Sequence, residues 1–157
     1  KQSFVINLTM LITLVDIKRP MKISAKTDYA CKALLELALH WPNTAPLRQN
    51  VISKKRNIPM KFLTQILIQL KQLGYVDSTR GSRGGYLLAK PPQQILFSDV
   101  LTDMSELPWA SQLRKTQKND VFEIVWKELD VVLLDHMKRI NFDILRQRER
   151  NVALYAI

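Results

Sequence analysis

A chain of 157 residues with 46% hydrophobic and 24% charged residues and only four glycines is long enough for one domain with a buried core, and its composition is that of a mainly helical globular protein rather than a disordered one. The formal net charge of +10 is local: residues 1–20 hold three basic and one acidic side chain, residues 21–100 twelve and four, and residues 101–157 nine of each. One cysteine, Cys31, excludes an internal disulfide and any multi-cysteine zinc or iron–sulfur site within a single chain, and a reducing cytoplasm is the expected compartment.

The apolar run over 4–15, FVINLTMLITLV, is shorter than the ~20 residues of a membrane-spanning helix and lacks a small-residue cleavage site, so a secretory signal is only its second reading. Met21-Lys22-Ile23-Ser24 reads as a start and Pro20 breaks what precedes it, which makes 1–20 an N-terminal extension of unknown role. Its β-branched content suits an added strand or a contact with a partner subunit.

Ser24 precedes a helix over 28–40 with apolar positions at Tyr29, Ala30, Ala33, Leu34, Leu37 and Ala38, a repeating three-four spacing. A turn over 43–47 leads to a short helix over 48–57, with Val51 and Ile52 inward and Lys54, Lys55 and Arg56 outward. Ile58-Pro59 opens a third helix, with proline in the first turn where no amide hydrogen bond is needed, and Gly74 supplies a left-handed stop. Periodicity turns Phe62, Leu63, Ile66, Leu67 and Leu70 inward and leaves Lys61, Thr64, Gln65, Ile68 and Lys71 outside. Lys61, Thr64 and Gln65 then share one turn near the helix start, where a groove-inserted helix touches base edges; an ordinary solvated polar face is the alternative.

Two β-type runs flank the loop in Val76-Asp77-Ser78-Thr79-Arg80-Gly81-Ser82-Arg83-Gly84-Gly85-Tyr86-Leu87-Leu88. Three glycines let the main chain approach a ligand closely, and two arginines supply planar forks of donors suited to phosphate. A solvated hairpin edge is the bland alternative. Helix, helix, turn, helix, hairpin is the order of a winged helix-turn-helix domain. Concentrated basicity around such a loop fits a nucleic-acid footprint, although a membrane surface accepts the same charge.

Lys90-Pro91-Pro92 ends the second strand, and Ser98 is placed to cap a short helix from Asp99-Val100-Leu101. The polar stretch over 107–118 is a loop whose bases Arg114, Lys115 and Lys118 are solvated. The longest helix, over 120–140, carries Phe122, Val125, Leu129, Val132, Leu133, Met137 and Ile140. A seam this wide marks a dimerisation candidate; packing on its own domain is the alternative. Asn141 caps a final helix over 142–150, and 152–157 is indeterminate.

These segments resemble the family of winged-helix transcription regulators that includes IscR, NsrR and CymR. The resemblance runs from Met21 to about Arg150. It is carried by Met21-Lys22-Ile23-Ser24 with Asp28-Tyr29-Ala30, by Leu34-Leu35-Glu36-Leu37-Ala38, and by Phe62-Leu63-Thr64-Gln65-Ile66-Leu67. Leu70-Lys71-Gln72-Leu73-Gly74-Tyr75-Val76, Arg80-Gly81 with Gly84-Gly85-Tyr86-Leu87-Leu88 followed by Lys90-Pro91-Pro92, and Asp99-Val100-Leu101 complete it.

The resemblance implies a homodimer on a partly palindromic operator, competing with or assisting RNA polymerase. It places Lys61, Phe62, Thr64 and Gln65 on the groove-facing part of the recognition helix, Arg80 in the minor groove, and Ser82, Arg83 and Gly84 at the wing's backbone contacts. It makes the helix from Asp120 the dimerisation helix. Sensor members hold an iron–sulfur cluster through three cysteines in the loop before that helix; here 105–119 contains none. Asp28 matches a carboxylate ligand of some members, yet a lone carboxylate without thiolates holds no such cluster, and it is expected to support the start of the first helix.

Cys31, close to the buried stripe, is expected to pack as a small apolar residue, and His40 and His136 bring no second ligand at metal spacing. The expected architecture is mainly α with a small β hairpin: an extension over 1–20, a winged helix over 21–104, a loop over 105–118, and a dimerisation helix and C-terminal helix over 119–157. The expected function is that of a sequence-specific transcription regulator, most often a repressor, with double-stranded DNA and a second copy as partners and no cofactor, metal or membrane. An effector, small molecule or protein, is left unassigned. A winged-helix module binding an acidic protein is the alternative, and no nucleophile paired with a base, metal cluster or phosphate loop supports an enzyme.

Overall fold

The computed structural model describes residues 23–104 and 121–155. The extension over 1–20, Met21 and Lys22 of the start motif, the loop with Arg114, Lys115 and Lys118, and Asp120 lie outside the described residues. The described elements are α1 (Ala25–His40), α2 (Gln49–Arg56), α3 (Met60–Gln72), β1 (Val76–Thr79), β2 (Gly85–Leu88), α4 (Phe97–Met104), α5 (Val121–Lys138) and α6 (Phe142–Tyr155). This is the mainly helical, hairpin-bearing architecture expected.

The Ser24 hydroxyl accepts the Thr27 amide at 3.1 Å, so α1 starts three residues before Asp28. Ala30, Ala33, Leu34, Leu37 and Ala38 are buried, while Tyr29 is half-buried. Arg48 occupies the N-cap of α2 and Asn57 its left-handed C-cap at φ 50°. Pro59 sits at the N-cap of α3, one position before the first turn. The helix ends as Gly74 turns left-handed at φ 73°, with the Tyr75 amide donating to the Leu70 carbonyl (2.9 Å) and the Gly74 amide to that of Lys71 (3.0 Å).

Leu63, Ile66, Leu67 and Leu70 of α3 pack with the α1 stripe, Ile52 and Ile58 into one core, joined by Val76 and Leu88, which face each other across the hairpin. Phe142, fully buried, adds the start of α6 to the same core. There the Phe142 amide donates to the Ile95 carbonyl and the Phe97 amide to that of Ile140. Farther along α6, Arg146 donates to the carbonyl of Trp41 at the C-terminus of α1 (3.1 Å), where a cation complements the helix dipole.

Four details differ from the sequence reading. Phe62, assigned inward, is 52% exposed: the stripe centres on Leu63, Ile66, Leu67 and Leu70, and Phe62 sits at its edge in the first turn, beside the Tyr29 ring with centroids 6.3 Å apart. Arg56, assigned outward, has a side chain only 12% exposed because carboxylates from two other helices hold it. Ser98 is buried inside α4 rather than capping it, since the first amide of that helix is satisfied by the crossing main chain at Ile140. Finally, α5 ends at Lys138, ahead of the Leu96–Asn141 bridge, and α6, capped by Asn141 as expected, runs on to Tyr155.

Candidate nucleic-acid interface

Because the buried stripe of α3 consumes one side, the opposite side near its start is open, and Lys61, Thr64 and Gln65 are all exposed there. Phe62 borders them, as do Met60 and Ile68. Thr64 donates its hydroxyl proton to the Met60 carbonyl (2.9 Å) and accepts a hydrogen bond from the side-chain amide of Gln49 (2.5 Å).

Beyond α3 the hairpin tip exposes Arg80, Gly81, Ser82 and Arg83. Gly81 has φ 104°, a conformation that L side chains rarely adopt, and the Gly84 amide closes the turn on its carbonyl at 2.9 Å. At Gly84 a Cβ would fall 2.3 Å from the Thr79 carbonyl, and at Gly85 2.4 Å from that of Leu47, so a side chain at either position would force the hairpin to shift. The second contact arises because Leu47 pairs with Tyr86 in both directions, 2.9 and 2.8 Å, adding a one-residue third strand to the wing.

Three consecutive residues thus brace both elements. Leu47 pairs with the wing, the Arg48 guanidinium donates to the Ser82 carbonyl at 2.9 Å, and Gln49 holds Thr64. A further tie, from the Lys71 ammonium to the Ser78 hydroxyl at 2.6 Å, joins the end of α3 to β1. Arg48 and Gln49 escaped the sequence reading: the Arg48 contact spans 34 residues, and no local pattern encodes it.

Some cations of the neighbouring helices are consumed internally. Lys32 pairs with Asp28, and Lys55 and Arg56 with Glu36. At Lys61, Arg80 and Arg83, by contrast, no carboxylate among the described residues forms an ion pair, which leaves their charge available to phosphate.

Cys31 lies partly buried against the core, and burial foremost, with the negative charge of Asp28 second, pushes its thiol up to about 12 from 9.0. Buried Tyr75 shifts the same way, through burial and then the hydrogen bond that its hydroxyl donates to Asp103 at 2.6 Å. The raised thiol pKa stabilises the fold fully below pH 9 and progressively less as pH rises toward 12, because only the unfolded chain loses its proton first. Denaturant midpoints are therefore expected to fall from pH 8 to pH 10.5, and a thiol reagent at pH 7.5 to label the unfolded chain far faster than the native one.

The donor set does not suit an iron–sulfur cluster. The single thiol of the chain is held protonated within the fold, and the carboxylate of Asp28 is engaged by Lys32 at 2.6 Å.

A helix-turn-helix closed by a two-stranded basic hairpin defines a winged-helix DNA-binding domain. The Rrf2 family model, "Iron-dependent Transcriptional regulator", matches residues 23–147, and the chain belongs to this family of DNA-binding transcription regulators, which are not enzymes. It is similar to a Synechocystis sp. protein that carries the name of an HTH-type transcriptional regulator, 36% identical over 69% of this chain and 76% of that protein. It also resembles the HTH-type transcriptional regulator IscR of Pectobacterium atrosepticum, 30% identical over 78% of this chain and 77% of that one. Among solved structures, T. potens IscR aligns with a TM-score of 0.70 and 26% identity, covering 83% of this chain and 90% of that chain. No described helix is long and apolar enough to cross a membrane.

Proposed function

We propose that the chain is a homodimeric, sequence-specific repressor that binds a partly palindromic operator in the cytoplasm without an iron–sulfur cluster. In this reading α3 enters the major groove with Lys61, Phe62, Thr64 and Gln65. The Arg80 side chain reaches into the adjacent minor groove, and Ser82, Arg83 and Gly84 follow the backbone. One observation carries the reading: the start of α3 and the wing are fastened to the same segment, 47–49, and each presents cations without a carboxylate partner among the described residues. A rigid pair of positive elements of this kind suits a double helix, whose grooves alternate at fixed spacing.

Pairing of two copies is assigned to α5. Phe122, Val125, Leu129 and Val132 are 40–68% exposed, an apolar surface at odds with a solvated helix. At the other end of the same seam Met137 is buried within the protomer and Leu133 and Ile140 are half-buried, so that end anchors α5 to its own domain. The chain then divides by role into an extension over 1–20, a DNA-binding part over 21–104, a loop over 105–118 and a pairing part over 119–157.

Substitution Arg80→Ala tests the wing. It is expected to weaken operator binding about five- to 150-fold, on the order of 1–3 kcal/mol, whereas Arg114→Ala, in the part of the sequence with balanced charge, is expected to change it less than twofold. Equal losses in a mobility-shift titration contradict the wing's role. Binding to an acidic protein with no preference among duplexes favours the interaction-module reading instead.

A further inference from the structure

We infer that Thr64 reads thymine through its γ-methyl group and that Gln49 is the positioning residue that keeps its hydroxyl from the bases. The inference rests on the DNA-reading role proposed above for α3. A threonine hydroxyl carries one proton, and here the Met60 carbonyl takes it at 2.9 Å. With that proton spent inside the helix, Thr64 has nothing to donate to the acceptors of guanine, to N7 of adenine or to O4 of thymine.

The same oxygen accepts from the Gln49 amide at 2.5 Å, which takes one of its two lone pairs, so an amino group of adenine or cytosine meets an oxygen already bonded twice within the protein. The donor and one of the two acceptor positions of this exposed hydroxyl are therefore engaged by its own protein. Its methyl group remains, and the C5-methyl of thymine is the apolar feature of the major-groove edges. Lys61 and Gln65, one turn around it, keep their polar ends for hydrogen-bonded reading. The residue that a pattern search would class as a hydroxyl donor is, by its geometry, an apolar reader.

Duplexes enriched from a random pool by the full chain provide the probe. Each thymine is replaced in turn by uracil, which deletes only the C5-methyl and leaves base pairing unchanged. At one thymine in each half-site the replacement is expected to weaken binding about fourfold, the effect of one buried methyl group. Thr64→Val retains this loss, Thr64→Ser abolishes it, and Gln49→Ala, which frees an acceptor lone pair of the hydroxyl for a base amino group, reduces it. Uracil sensitivity in Thr64→Ser equal to that of the parent overturns the inference, as does loss of the enriched-sequence preference in Thr64→Val. An enriched sequence without any uracil-sensitive thymine sinks this inference alone; a pool with no enriched sequence removes the base-reading role of α3 and the inference with it.

Discussion

Replacing Leu129 and Val132 together with aspartate is expected to convert the proposed dimer into a monomer and to lower operator affinity at least a hundredfold. Both side chains are more than half exposed in the protomer, 51% and 68%, so their replacement costs little within one chain. Across a two-fold interface each aspartate appears twice, and four buried carboxylates without partners cannot be accommodated. In the proposed dimer a single protomer grips one half-site. Pairing makes the second half-site contact intramolecular, a gain of 10²–10⁴ without any new contact, and the substitution forfeits it. Sedimentation analysis reports the mass and a shift titration the affinity, while an unchanged helical CD spectrum and melting temperature establish that the fold is retained. A dimer that survives both aspartates places the pairing surface elsewhere.

The second large effect concerns the fold. Glu36→Ala is expected to destabilise the protein by about 3 kcal/mol, toward the lower end of the range for breaking a buried ion pair. Its side chain, 5% exposed, sits on the inward side of α1, where a carboxylate is tolerated only because α2 supplies partners. The Arg56 guanidinium donates to one oxygen and the Lys55 ammonium to the other, both at 2.8 Å. Lys55, 60% exposed, contributes little, but Arg56 at 12% does not reach bulk water once its partner is gone.

Arg56 also donates to Glu149 of α6 at 2.7 Å, and that half-exposed carboxylate offsets part of the loss. The network therefore fastens the C-terminal helix to the helix that precedes α3. Chemical denaturation of Glu36→Ala, Arg56→Met and the double variant resolves the coupling. The double variant is expected to recover much of the stability lost in either single one, because no charge is left stranded. Strictly additive losses contradict a coupled pair.

The helical order, the stop at Gly74 and the hairpin were legible in the sequence because each is encoded locally. Apolar spacing defines the buried faces, Pro59 and Gly74 punctuate α3, and the glycines at 81, 84 and 85 mark the wing. What the sequence did not show depends on distant partners. Arg56 looks like the third of three solvated bases until Glu149, 93 residues away, is placed beside it. Phe62 satisfies the inward spacing, yet at the first turn of α3 it lies against the half-buried Tyr29 ring rather than inside the core. Ser98 carries a capping residue's chemistry, but the main chain at Ile140 reaches the helix start instead. That Lys61, Thr64, Gln65, Arg80 and Arg83 are exposed, as the proposed interface requires, was visible by type and position; the brace of Arg48 and Gln49 that joins the two elements was not.

The central claim, that α3 and the wing read a particular duplex, is tested most directly by competition over a salt series. A labelled duplex enriched by the full chain is challenged with unlabelled copies of the same sequence or a scrambled one. The expected result is a preference of at least a thousandfold for the enriched sequence, with affinity for both falling steeply as salt rises from 50 to 200 mM, on the order of 10³-fold for several phosphate contacts. Equal displacement by the scrambled duplex at every salt concentration contradicts it.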